Sequence, residues 1–154
     1  MDQDAFRQTY KDVNQRFCAF EKSVLINQCQ CRLAERFCIA EREGVHCGAD
    51  DSQARCLKVL ELLREQARFA LRTNEDKALL PHGKAMRIQI GGMRGIRRLL
   101  EPDADNPDAV PDVDGLLQQA EARYGRLEAI PFSDVMPLIA AYQGKTRARR
   151  RRRD

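Results

Sequence analysis

Six cysteines crowd into the 39 residues from Cys18 to Cys56, and the rest of the 154-residue chain holds none. Their order is Cys18-x10-Cys29-x-Cys31-x6-Cys38-x8-Cys47-x8-Cys56. A segment loaded in this way uses its thiols as small buried hydrophobes, as redox groups or as metal ligands. Each use demands a different local fold, so the cysteine segment constrains this chain more than any other feature.

The apolar residues around the cysteines follow a helical period. Phe6, Tyr10, Val13, Phe17, Phe20 and Val24 step by fours and threes, and a second phase runs through Ile26, Cys29, Leu33, Phe37 and Ala40. Gly44 and Gly48 frame a connection, Asp50, Asp51 and Ser52 offer N-caps, and Cys56, Leu60, Leu63, Ala67 and Ala70 form the next stripe up to Asn74. This spacing predicts a mainly all-α protein. A long helical hairpin spans 3–73, with two shorter C-terminal helices starting near Val113 and Ser133. Met86, Ile88 and Ile90 alternate with Arg87 and Gln89, which fits one short strand over 85–90. Residues 1–143 read as a single helical domain in which 101–112, acidic and proline-rich, is a linker or loop.

Two helical residues two positions apart point about 200° from each other, so Cys29 and Cys31 converge only where the helix breaks. The phase shift near 24–32 supplies such a break. Cys31 and Cys38 share a helix face about 10.5 Å apart. Cys38 and Cys56 stand level across the hairpin, each nine residues from the glycine-framed Cys47. The ligand set therefore contains Cys47 and Cys56, completed either by Cys31 and Cys38 or by Cys29 and Cys31. Cys18, between Phe17 and Phe20, reads as a packing residue. Long, irregular spacings without paired knuckles favour an iron–sulfur cluster over zinc, since the corners of a cubane lie several ångströms apart. A zinc-stapled or metal-free interaction module is the alternative, and a thiol-redox protein the third reading.

Nothing else names a reaction, and the expectation is an accessory or regulatory protein rather than an enzyme. Gly91-Gly92-x-x-Gly95 lacks the order of a dinucleotide or P-loop cradle. Neither His46 nor His82 has a sequence partner for nucleophilic catalysis. The formal charge of +4 is uneven, because Lys145–Asp154 carries seven basic residues and one acid, which leaves the remainder slightly acidic. Arg149, Arg150 and Arg151 of this 144–154 polybasic tail, together with Arg94, Arg97 and Arg98, are candidate contacts for nucleic acid or an acidic protein. The start of the chain is acidic and without an apolar run, which predicts no membrane association and a cytoplasmic location where thiols stay reduced. Oligomeric state is left open.

Overall fold

The computed structural model describes residues 2–70 and 81–144. Helix α1 (Gln3–Val13) starts under Asp2, whose side chain accepts the Ala5 N–H, and stops at Asn14. A short α2 (Glu21–Leu25) follows, then an antiparallel hairpin of β1 (Ala34–Ile39) and β2 (Arg42–Cys47). The long α3 (Asp50–Ala70) leads on to α4 (Pro81–Met86), a π turn (Arg87–Gly91), α5 (Gly92–Leu100), α6 (Val113–Tyr124), a 3-10 turn (Leu127–Ala129) and α7 (Phe132–Ala141). No helix among the described residues is long and apolar enough to cross a membrane. The protein is mainly helical with a small sheet, which corrects the helical hairpin expected over 3–73. Asn74, expected to end the second helix, lies outside the described residues.

The correction has a local cause at each end. Asn14 is buried, and its amide donates to Val45 O (3.0 Å) while its carbonyl meets His46 Nδ1 (3.0 Å). Capping by residues more than thirty positions away ends α1 where the apolar period would carry it on. Residues 16–18 then run beside β2, with Cys18 N–H donating to Val45 O and Cys47 N–H to Arg16 O. Gly44 is a strand residue here. It pairs with Phe37, whose ring covers it, and a Cβ at Gly44 would overlap that ring. Between the strands Ala40 takes φ 55°, the left-handed region that glycine occupies more cheaply.

The expected strand at 85–90 is also helical. The alternation does not track burial: Met86, Gln89, Ile90 and Met93 face inward at helical spacing, while Ile88 is only partly buried. Buried Gln89 uses its Oε1 to accept the Ser23 N–H of α2 (3.2 Å). Gly91, Gly92 and Gly95 are not a turn. They let backbones approach, Gly91 against Leu138 and Ile139 and Gly95 against Val135 of α7, while Gly92 seats Leu63 of α3.

The α3 stripe is as expected, with Cys56, Leu60, Leu63 and Ala67 buried together with Val59. Burial of a leucine such as Leu63 contributes about 1.5–3 kcal/mol. The α6 stripe of Val113, Leu117 and Ala120 closes the same core against α3, as do Phe132, Val135 and Ile139 of α7.

Candidate metal centre

The fold draws four separated thiols to one place. Cys18 arrives on the segment beside β2, Cys31 on the turn before β1, Cys47 at the end of β2, and Cys56 on the second turn of α3. All four line one cavity of ≈ 20 Å³, walled by Ala19, Phe20, Val24, Ala34 and Val113 and edged by Ser52, Gln53 and Asp114. That volume suits about one water-sized particle.

Backbone amides lie near two of the sulfurs. That of Phe20 pulls the Cys18 thiol down, and those of Leu33 and Asp114 pull Cys31 down, in each case against a larger rise from burial. In the first two pairs the donor lies two residues beyond its cysteine, a tight turn that offers an N–H to a sulfur. The third belongs to the first turn of α6, where backbone donors have no partner within the helix and the macrodipole is positive. Ser52 and Gln53 bring the start of α3 to the same cavity. Two helix N-termini and three amides around an apolar cavity favour negative charge on sulfur.

In the metal-free protein burial outweighs these donors, and the thiols of Cys18, Cys31 and Cys56 stay protonated. Burial, with smaller contributions from Cys31 and Cys47 nearby, pushes Cys18 up to about 12. Burial likewise raises Cys31 against the pull of its two amides. Cys56 is raised by burial and then by Cys18, Cys31 and Cys47. Unfolded thiols ionise near 9.0 while the folded ones hold their protons, so the metal-free protein loses stability as pH rises above 9.0 toward about 12. Each such thiol contributes a slope of about 1.4 kcal/mol per pH unit. Urea unfolding of reduced, metal-free protein across this range should give a slope that Cys56→Ala makes shallower, and an unchanged slope would show that these thiols are not shielded.

Asp114 ties the two halves of the cavity together. It is 1% exposed, and its Oδ2 accepts from Arg32 (2.6 Å) and Gln118 (2.8 Å), while Arg55 stands 3.5 Å from its Oδ1. Arg32 follows Cys31 and Arg55 precedes Cys56, so one carboxylate fixes the neighbours of two cavity thiols.

No family model, curated protein or solved structure matches this chain. The functional reading therefore rests on these residues alone.

Of the five cysteines singled out by spacing, Cys31, Cys47 and Cys56 meet at the cavity. Cys29 is fully buried elsewhere, and burial raises it to about 11 against a smaller pull from Ser23. Cys38 is exposed on β1. Cys18, read from sequence as packing, is the fourth thiol of the cavity. All six cysteines are free, and among the described residues no three His, Cys, Asp or Glu side chains already converge in a group that could hold a metal ion. The thiols share a cavity without pointing at one spot, and Cys47 donates its S–H to Ala49 O (3.3 Å).

Arg94, Arg97 and Arg98 hold the acidic loop. Arg94 donates to Asp108 O and Gln28, Arg97 to Glu101 and to the carbonyls of Asn106 and Ala109, and Arg98 to the Asp108 carboxylate. That loop in turn meets the cysteine segment, since Gln30 N–H donates to Val110 O and Val113 N–H to Gln30 O. Arg149, Arg150 and Arg151 lie outside the described residues.

Proposed function

We propose that this protein is a cysteine-ligated metal-binding accessory or regulatory protein whose centre is held by Cys18, Cys31, Cys47 and Cys56. The observation that carries the reading is the meeting of four thiols from four segments at one apolar cavity with amide donors near two of them. A thiol serving only as a small hydrophobe gains little from backbone N–H donors, whereas a metal-bound thiolate is stabilised by them. Four thiolates around Zn²⁺, or around a [4Fe–4S]²⁺ core, carry a net charge of about −2, which two helix N-termini offset in part.

An iron–sulfur cluster is the preferred occupant. Sulfurs that do not converge need less movement to reach the separated corners of a cluster than to surround one ion at about 2.3 Å. The cavity volume favours the second reading, a single Zn²⁺, because a cluster requires the thiols and the apolar wall to turn outward. Anaerobic purification followed by iron, sulfide and zinc analysis decides between them. Brown protein with iron and acid-labile sulfide supports the cluster, and colourless protein with one zinc supports the second reading. Metal-free protein that takes up neither under reducing conditions would refute both.

The proposed partner is a polyanion, nucleic acid or an acidic protein, reached through Lys145–Asp154. That part of the reading rests on the tail's composition.

A further inference from the structure

The cavity has more donors than a tetrahedral site needs. Asp114 lines it beside the four thiols, and its charge reaches both Cys31 and Cys56. Its two oxygens are used unequally. Oδ2 takes the Arg32 and Gln118 hydrogen bonds, whereas Oδ1 is buried and has no hydrogen-bond partner, Arg55 being too distant at 3.5 Å. A buried carboxylate oxygen that accepts no hydrogen bond, with only the Arg55 charge nearby, calls for an explanation. One oxygen fixed by an arginine and an amide while the other accepts no hydrogen bond is how outer hydrogen bonds orient a carboxylate that binds metal through a single oxygen.

We infer that Asp114 is an oxygen ligand of the centre, competing with one of the four thiolates so that one coordination position is exchangeable. This rests on the four-thiol reading above. It adds that the site is a mixed sulfur–oxygen site of the kind that keeps an open position, rather than a closed all-sulfur structural one. The neutral amide of Asn at this position would keep the size and the α6 amide to Cys31 but would lose the anionic donor.

Zinc-edge X-ray absorption on the full reduced chain loaded with Zn²⁺ tests it. The wild-type spectrum should show sulfur at about 2.3 Å and one oxygen at about 2.0–2.2 Å. The oxygen should vanish in Asp114→Asn while the sulfur shell remains. A wild-type shell of sulfur alone would overturn the inference and leave the four-thiol reading standing, as would an oxygen that survives in Asp114→Asn, which would be solvent. Should Asp114→Asn fail to fold because Arg32 and Arg55 lose their counter-charge, the wild-type shell together with the Arg55→Gln spectrum decides. Arg55→Gln leaves the carboxylate and its Arg32 bond in place and should keep the oxygen. Loss of that oxygen would overturn the inference. Failure of wild-type protein to bind Zn²⁺ through sulfur would overturn the four-thiol reading itself.

Discussion

Cys18→Ala should sharply weaken metal binding by the folded chain, while Cys29→Ala and Cys38→Ala should leave the stoichiometry unchanged. The contrast separates ligation from packing, because Cys29 is the most buried of the three and Cys38 the most exposed. If the thiols acted only as hydrophobes, the losses would follow burial, with Cys29→Ala the most damaging in stability and all three alike in metal. Ligation ranks them by position around the cavity instead. Cys18 lies near the Phe20 amide and sits among the other three thiols, so its loss removes a thiolate and idles that donor. Thiolate ligation also couples metal to folding, and the melting temperature of loaded Cys18→Ala should fall to that of its metal-free form. Metal affinity, metal per chain and the melting shift on loading are the measurements. Wild-type metal affinity in Cys18→Ala would sink the proposed ligand set.

Gly91→Ala should be the most damaging of the glycine substitutions on α5 and its leading turn. In an exposed helix the change would favour folding by up to about 1 kcal/mol. Here the new Cβ would lie 2.6 Å from Leu138 O and from Ile139 Cα, which are backbone atoms that no rotamer change can move. Overpacking typically costs about 1–3 kcal/mol and more where nothing can yield, so the clash wins. At Gly95 the nearest atom is a Val135 side-chain carbon at 2.7 Å, which can turn aside, although Val135 Cα follows at 3.0 Å. Urea denaturation should therefore rank Gly91→Ala below Gly95→Ala and both below wild type. The reverse order would mean that α7 is not seated against α5 as described.

The same contrast between local and distant constraint explains what the sequence reveals. The stripe of α3 is legible because Cys56, Leu60, Leu63 and Ala67 need only their own helical spacing to reach one face, and Val113, Leu117 and Ala120 of α6 behave likewise. The segment 14–49 is not legible by period, because its apolar steps mimic a helix that Asn14 ends through Val45 and His46. The hairpin turn at Ala40-Glu41 lacks the Asn-Gly signature that would announce it. Gly44 looks like a helix stop until Phe37 is seen lying over it. The site is legible to the extent of Cys31, Cys47 and Cys56. Cys18 hides between two phenylalanines, only one of which is core, Phe20 being fully buried and Phe17 38% exposed. A signal was present in Asp114, a lone acid on the apolar start of α6, but its worth depends on Arg32 and Arg55 reaching it from other segments.

Helix α1 buries no residue of its own, and is held by Asn14, the Tyr10–Glu21 hydrogen bond and the contact of Phe37 with Tyr10. In hydrogen-exchange terms it belongs to the least protected part of the molecule, opening at a free energy well below that of global unfolding. Cys18 lies five residues beyond it, so peeling α1 away leaves that wall of the cavity held by the backbone bonds to β2, by Arg16 on Cys47 and Asp50, by Gln53 on Phe17 O and by buried Phe20. On the proposed metal-binding function, an ion would gain its lowest-cost access from the N-terminal side, while the packing of α3, α5, α6 and α7 stays closed.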